Sequence, residues 1–478
     1  MNLRMVSRVL GLILLCMAAL MLLPMIAGLC YGENVLHFLF TAILTALLGF
    51  LLTRFRPRTT VLYAREGFVI VGLAWILMSA AGAVPLMLTG DIPSPVDAFF
   101  ETVSGLTTTG ASILRDVTAL SHGGAFWRSF THWIGGMGVL VLMMAIFSDS
   151  TGRSIHIMRA EMPGPVVDKI VPRVKDTAKI LYLMYIGLTL TEVVFLLFGG
   201  MSLYEALIHS FGTAGTGGFG IRPDSIGSYS PYLQWTITVF MLLFGVNFNL
   251  YYLLLLKRFR AAFRSEELRT YLCVVVIATG IITANISGLA GSFGEAFRHA
   301  AFQVASIITT TGYSSADFNL WPNLSRVILL LLMFMGGCAG STAGGLKVSR
   351  VCILVKCAGR ELSKLLHPRS VTTARFEGKP LDESTRAGVT SYFAVYALLM
   401  AAILFIIGHE PFDLETHITA VISCVNNVGP GFSAVGPMGG YADYGAVSKL
   451  ALSAAMLLGR LEIYPLLLTF APLTWKKR

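Results

Sequence analysis

Apolar runs long enough to cross a bilayer follow one another along this chain, and shorter apolar runs recur between them. A transmembrane helix needs roughly 20 apolar residues. Ten runs meet that length, near residues 8–30, 35–53, 67–89, 126–148, 178–199, 232–256, 270–290, 324–355, 388–408 and 446–472. Four shorter ones, Val96 to Leu106, Leu203 to Thr213, Phe293 to Ile308 and Phe412 to Val425, do not. After the first two spans the order is long, short, long, four times over. This predicts an all-α polytopic membrane protein of ten transmembrane helices. Residues 1–58 form a two-helix leader, and four helix–hairpin–helix units follow at 59–155, 156–263, 264–370 and 371–478. Composition agrees: 13% of the 478 residues are charged, about half the share in soluble domains.

Charge placement orients the spans. Basic residues gather at Arg54, Arg56, Arg58 and Arg65; at Arg153, Arg159, Lys169, Arg173, Lys175 and Lys179; at Lys257, Arg258, Arg260, Arg264 and Arg269; between Lys347 and Arg386; and at Lys476-Lys477-Arg478. With ten spans, every cluster falls on one face together with both termini, which the positive-inside rule makes cytoplasmic. Each short run must then enter and leave from the opposite face, where Arg115 and Arg222 are sparse exceptions. The net charge of +10 is explained by these loops, and nucleic-acid binding is excluded. Val9 to Gly28 is too long for the core of a signal peptide and reads as an uncleaved span.

Little points to covalent chemistry. The seven cysteines have no C-x-x-C spacing and the nine histidines no H-x-x-x-H pattern, so neither a disulfide framework nor a metal cluster is expected. His132, His209 and His299 are isolated and read as structural hydrogen-bonding residues. No nucleophile–base set or intact Walker A motif is present, so an enzyme is not expected, nor a covalent cofactor.

The short runs end alike. Thr107-Thr108-Thr109-Gly110-Ala111 and Thr309-Thr310-Thr311-Gly312-Tyr313 nearly coincide, and Ala214-Gly215-Thr216-Gly217-Gly218 and Asn426-Asn427-Val428-Gly429-Pro430 are weaker copies. Irregular backbone survives at membrane depth only where protein buries it or water lines it. A short helix pointing its C-terminal end inward favours a cation, and the carbonyls that follow can replace a hydration shell. Four copies on one axis are therefore expected to form an ion filter from Thr108, Thr109, Gly110; Thr216, Gly217, Gly218; Thr310, Thr311, Gly312; and Asn427, Val428, Gly429, with Gly110, Gly217, Gly312 and Gly429 as equivalent glycines. Threonine hydroxyls can add ligands where they occur. Glu101, Glu205 and Glu295 recur in three of the short helices, with Glu415 offset, and read as anchors. Asp116, Asp224, Asp317 and Asp443 follow the four turns and can attract cations.

These motifs, with Gly217-Gly218-Phe219, the glycine-rich residues 336–347, Arg159-Ala160-Glu161-Met162-Pro163-Gly164-Pro165 and Gly459-Arg460-Leu461-Glu462, resemble the Trk/Ktr/HKT superfamily of potassium transporters over nearly the whole chain. The leading pair of spans is similar to that of the Trk-type membrane subunit, which the eight-span Ktr type lacks. The resemblance implies potassium uptake across the bacterial inner membrane. In the superfamily a glycine at each filter position goes with potassium preference and a serine in the first with sodium, and Gly110 implies potassium. It also implies a homodimer and a cytoplasmic nucleotide-binding regulatory subunit resembling TrkA, for which the basic inner loops offer a dock.

Residues 336–345 interrupt a long apolar segment. Three readings of them stand open: a phosphate loop, for which Leu346 misplaces the lysine; small-residue helix packing; and a broken helix lying across a pore. The resemblance implies the third, a gate formed by Gly336, Gly337, Gly340, Ser341, Thr342, Gly344 and Gly345, with Ser341 and Thr342 able to bond freed backbone groups. Arg460, within the last span, reads either as an ion-pair partner of Glu462 or a residue packed near the inner end, or as a cationic barrier beneath the filter. The resemblance implies the barrier. Transport is expected down the electrochemical gradient or in symport with another cation. The rival is an alternating-access transporter built from inverted repeats.

Overall fold

The computed structural model describes residues 1–55, 63–138, 174–368 and 373–476. The motif beginning at Arg159 and the basic cluster from Arg153 to Arg173 lie outside them. The chain opens with helices α1 (Leu3–Leu20), α2 (Leu22–Cys30) and α3 (Leu36–Thr53). Helices α1 and α3 meet at Gly11 and Gly49, where a Cβ on either would strike the other's carbonyl. Small residues at such a crossing let two backbones approach within a membrane.

Six helical segments among the described residues are long and apolar enough to cross a bilayer: Leu3–Cys30, Leu36–Thr53, Arg65–Thr89 (in α4, Ala64–Thr89), Asp176–Phe198, Glu266–Ile286 and Glu383–Ile407. The remaining four runs expected to span are not continuous helices there. Helix α6 (His122–Met137) stops at Gly138, beyond which the expected span leaves the described residues. Pro231–Phe244 and Phe248–Leu255 are bent by 91°. Asn323–Met335 and Val348–Leu366 are parted by residues 336–347, and Ala446–Arg460 and Tyr464–Phe470 by residues 461–463. Periodicity conceals the breaks at Gly245 and after Arg460 because apolar residues continue through them, whereas the glycine-rich interruption at 336–345 is visible in the sequence. Glycine ends three of these helices: Gly138 and Gly336 cap theirs at φ 78° and 70°, and Gly245 caps a third; the fourth break turns on Glu462 and Ile463, at φ 58° and 65°. Asn247 then accepts from Asn249 N to start the next helix.

Four short helices carry the turn motifs: α5 (Pro95–Leu106), Leu203–Gly215, Phe293–Ile308 and Leu414–Asn426. At 1.5 Å per residue they reach only about 18–24 Å, less than a bilayer core. Serine N-caps set three of the starts: Ser94, Ser202 and Ser292 accept from the amides three residues on, satisfying donors the helix leaves free. The interior is polar where these helices end. Thr107 to Thr109, Thr216, Thr309 to Thr311, Asn426 and Asn427 are all buried, while Leu398, Phe405 and many other apolar side chains face outward. That is the distribution a lipid solvent selects. Among the described residues the one departure from an all-α fold is a hairpin pairing Arg375–Phe376 with Lys379–Pro380.

Candidate functional site

All four short helices end in the same way. Thr108, Thr216, Thr310 and Asn427 stand in the left-handed region at φ 55–56°. Their amides bond carbonyls three residues back, those of Gly105, Thr213, Ile307 and Cys424. The next amides, of Thr109, Gly217, Thr311 and Val428, bond five residues back to Ser104, Gly212, Ser306 and Ser423 at 2.8–2.9 Å. This is a Schellman cap, with threonine or asparagine where glycine is usual. A left-handed β-branched residue costs about 1–2 kcal/mol, so the surrounding contacts must hold the turns in place. The next residues, Gly110, Gly218, Gly312 and Gly429, have φ between 77° and 101°.

This register corrects one sequence assignment. Gly218, not Gly217, is the counterpart of Gly110, Gly312 and Gly429. Gly217 occupies the position of Thr109, Thr311 and Val428, and its missing side chain leaves room for the His132 imidazole. The G-T-G-G run of the second copy hid the one-residue offset. The offset also separates the acidic residues: Glu101 lies seven positions before its left-handed residue, whereas Glu205, Glu295 and Glu415 lie farther back, so they are not comparable anchors.

The turns close on one another. A Cβ on Gly110 would strike the carbonyl of Gly217, one on Gly218 that of Thr311, one on Gly312 that of Val428, and one on Gly429 that of Thr109. Each glycine thus abuts the carbonyl of the next copy, and the fourth returns to the first. All four line a single cavity of about 170 Å3, together with Arg128, Phe219 and Tyr441. Further bonds tie neighbours. Asn427 Nδ2 donates to Thr109 Oγ1 (3.0 Å), and Tyr313 Oη reaches the carbonyls of His209 and Phe219 (both 3.2 Å). His132 Nδ1 lies 2.8 Å from Gly105 O, and Phe219 N donates to Nε2, so His132, like His209 beside Tyr229 and His299 beside Ser315, is a structural bonding residue. The threonine hydroxyls differ. Thr109 and Thr311 bond back to Thr107 and Thr309, Thr216 donates to Gly215 O, and Thr108 Oγ1 has no partner among the described residues.

Residues 336–347 lie against this ring. Gly344 N donates to Thr310 Oγ1 (2.6 Å) and Gly345 N to Asn426 O (3.0 Å). The broken helix at Gly245 receives the other side: Cys338 N bonds Gly245 O, Phe248 N bonds Gly340 O, and Thr342 Oγ1 donates to Phe244 O. Ser341 Oγ donates to Cys338 O within the loop. Gly337 abuts Gly245 and Ala343. Arg460 then joins three parts of the chain, donating to Thr342 O (2.8 Å) and to Gly135 O and Gly136 O (2.6 and 2.7 Å) at the end of α6. Glu462 pairs with Arg350, whereas these bonds of Arg460 run to the loop and to the end of α6.

Two contributors were missed from sequence. Glu267, buried on Glu266–Ile286, accepts from Ala339 N (2.7 Å) and Ser349 N (3.1 Å), fastening both ends of the loop. Lys347 is buried at φ 75° and donates to Ala343 O. Both follow the pattern of a charged residue adjoining an apolar span, which alone cannot separate a loop anchor from a solvated head. The aspartates expected to draw cations do not line the cavity. Asp116 and Asp317 cap short turns, Asp224 accepts from Ser228, and Asp443 pairs with Arg115.

Comparison with known proteins gives a consistent result. A family model described as TrkH, cation transport protein, matches residues 32–477. The chain is 36% identical over 489 residues to the Trk system potassium uptake protein TrkH of Salmonella typhimurium, covering 100% of both. It is 34% identical over 486 residues, with the same coverage, to that of Halomonas elongata. The crystal structure of the potassium transporter TrkH from Vibrio parahaemolyticus aligns over 100% of both chains with a TM-score of 0.88 at 32% identity.

Proposed function

Because this chain belongs to the TrkH family of cation transport proteins, we propose that it carries potassium into the cell across the inner membrane through one central pore. The observation that carries this reading is the closed ring of four left-handed turns around one cavity. Glycine at each ring position lets carbonyls crowd a dehydrated cation. The selectivity filter comprises Thr108, Thr109, Gly110; Thr216, Gly217, Gly218; Thr310, Thr311, Gly312; and Asn427, Val428, Gly429. The four units, with boundaries at residues 59, 156, 264 and 371, supply one turn each.

Beneath the filter, residues 336–347 are the gate. They are bonded to Thr310 on the filter itself and held by Arg460, whose charge adds an electrostatic barrier to a cation. The basic loops and both termini face the cytoplasm, as the positive-inside rule requires. A nucleotide-binding subunit resembling TrkA docks there, and two copies of this chain form the working dimer. The test is growth of potassium-uptake-deficient cells at low potassium, with this chain and its cytoplasmic partner expressed. Rescue by the wild type and its loss in Gly312→Ser supports the reading. Failure of well-expressed wild type to rescue overturns it.

A further inference from the structure

One ion pair is built into the wall of the outer cavity, in the first unit. Arg128 on α6 is 4% exposed and Glu101 on α5 fully buried, and Arg128 Nε stands 2.5 Å from Glu101 Oε1. Each partner also grips a different strand leaving the ring. Glu101 accepts from Ser112 Oγ and Ile113 N, both at 2.9 Å, two and three residues beyond Gly110. Arg128 Nη1 donates to Gly220 O (3.2 Å), two residues beyond Gly218, and its guanidinium lies 3.4 Å from the centroid of the Phe219 ring. The pair therefore spans the first and second copies, and Arg128 lines the same cavity as the four ring glycines.

The other units lack it. Seven residues before the left-handed position, where the first copy has Glu101, the others have His209, Gln303 and Ala420. His209 contacts Tyr229, and Gln303 donates to Ala316 O at 3.4 Å. Neither position carries a carboxylate. Withdrawing two charges from water is costly, and such pairs are best attested where they enforce one arrangement over others. A rigid guanidinium fork is suited to that role where an ammonium is not.

We propose that Glu101 and Arg128 are positioning residues for ion discrimination: together they fix the spacing between the first two filter strands, and so the preference for potassium over the smaller sodium ion. This rests on the filter reading above. The ring carbonyls discriminate only while their separation is held, and the pair clamps the strand above Gly110 to the strand above Gly218.

The experiment measures potassium and sodium uptake by purified protein in vesicles, reporting the uptake ratio and maximal flux separately. Arg128→Lys keeps the charge and loses the fork; Ser112→Ala removes one bond to Glu101 and leaves the pair. Glu205→Gln, at the half-exposed pair with Arg222, is the control. The potassium-to-sodium ratio is expected to fall about tenfold in Arg128→Lys, the worth of roughly one hydrogen bond in relative ion binding. Ser112→Ala should show a smaller fall and Glu205→Gln none. An unchanged ratio in folded Ser112→Ala and Arg128→Lys overturns the proposal, as does lower flux at constant ratio. Should Arg128→Lys not fold, the ratio in Ser112→Ala decides. A wild type that does not favour potassium defeats the filter reading itself, which keeps the two failures apart.

Discussion

Replacing Arg460 by alanine tests the gate directly. Arg460 donates to Thr342 O in the loop and to Gly135 O and Gly136 O at the end of α6. The bonds to α6 anchor the arginine, and the bond to Thr342 holds the loop. A hydrogen bond to a charged group contributes about 1.5–3 kcal/mol. Losing the loop contact should therefore raise the open fraction about tenfold to a hundredfold, as long as the closed arrangement predominates. Removing the positive charge lowers the barrier further, so both effects have the same sign. The assay is rubidium uptake into vesicles at matched protein content, with the potassium-to-sodium ratio as a check on the ring. Flux should rise at least about tenfold with the ratio unchanged. Equal or lower flux in a folded variant with a normal ratio refutes the reasoning, because Arg460 would then be a structural strut.

Further outcomes follow from the same contacts. Thr310→Val removes the acceptor for Gly344 N; leaving that amide unpaired costs about 1–3 kcal/mol, so uptake should rise several-fold in the same vesicle assay, through a weakened loop–ring contact. Gly218→Ser places a side chain against the Thr311 carbonyl at a φ of 77° and should abolish potassium-selective uptake, as should Gly110→Ser, which tests the corrected register; retained selectivity in Gly218→Ser alone would restore Gly217 to that role. Glu33 accepts from the amides of His122 (2.6 Å) and Gly123 (2.9 Å) and contacts the His122 ring. Burial raises its carboxyl, but the Gly123 and His122 bonds outweigh that and hold it below its ordinary value of 4.5. A depressed carboxyl contributes stability above its unfolded value and loses it as pH falls through the folded one. Glu33→Gln should thus lower the melting temperature at neutral pH, and the difference from wild type should shrink as pH falls below 4.5, read by thermal unfolding in detergent.

Some features were legible because they are local. The short helices begin and end close to where the apolar runs put them: Phe293–Ile308 coincides with the predicted run, and Pro95–Leu106 and Leu203–Gly215 differ by one or two residues. The glycine-rich interruption at residues 336–345 was visible because so many glycines cannot continue a helix. By contrast, the breaks at Gly245 and after Arg460 were hidden. One or two glycines in an apolar run are tolerated in a membrane helix, and only the approach of neighbouring chain forces them to act. Gly459 lets that neighbour close in, since a Cβ there would strike the Val425 carbonyl, but the turn after Arg460 is made by Glu462 and Ile463 at φ 58° and 65°.

The amino-acid order alone determined the membrane class, the stretches where basic residues gather and the four places where a short helix gives way to a glycine turn, because each follows from composition within a few residues. Tertiary structure alone decided which glycine of the second copy belongs to the ring, since register is set by how each turn abuts the next copy's carbonyl. It also decided the partners of the buried charges. Arg460 could be read beside Glu462 from sequence, yet Glu462 pairs with Arg350 while Arg460 reaches Thr342 and the end of α6. A long side chain finds its partner through space, and residues more than three hundred positions away become nearer than the next turn of its own helix.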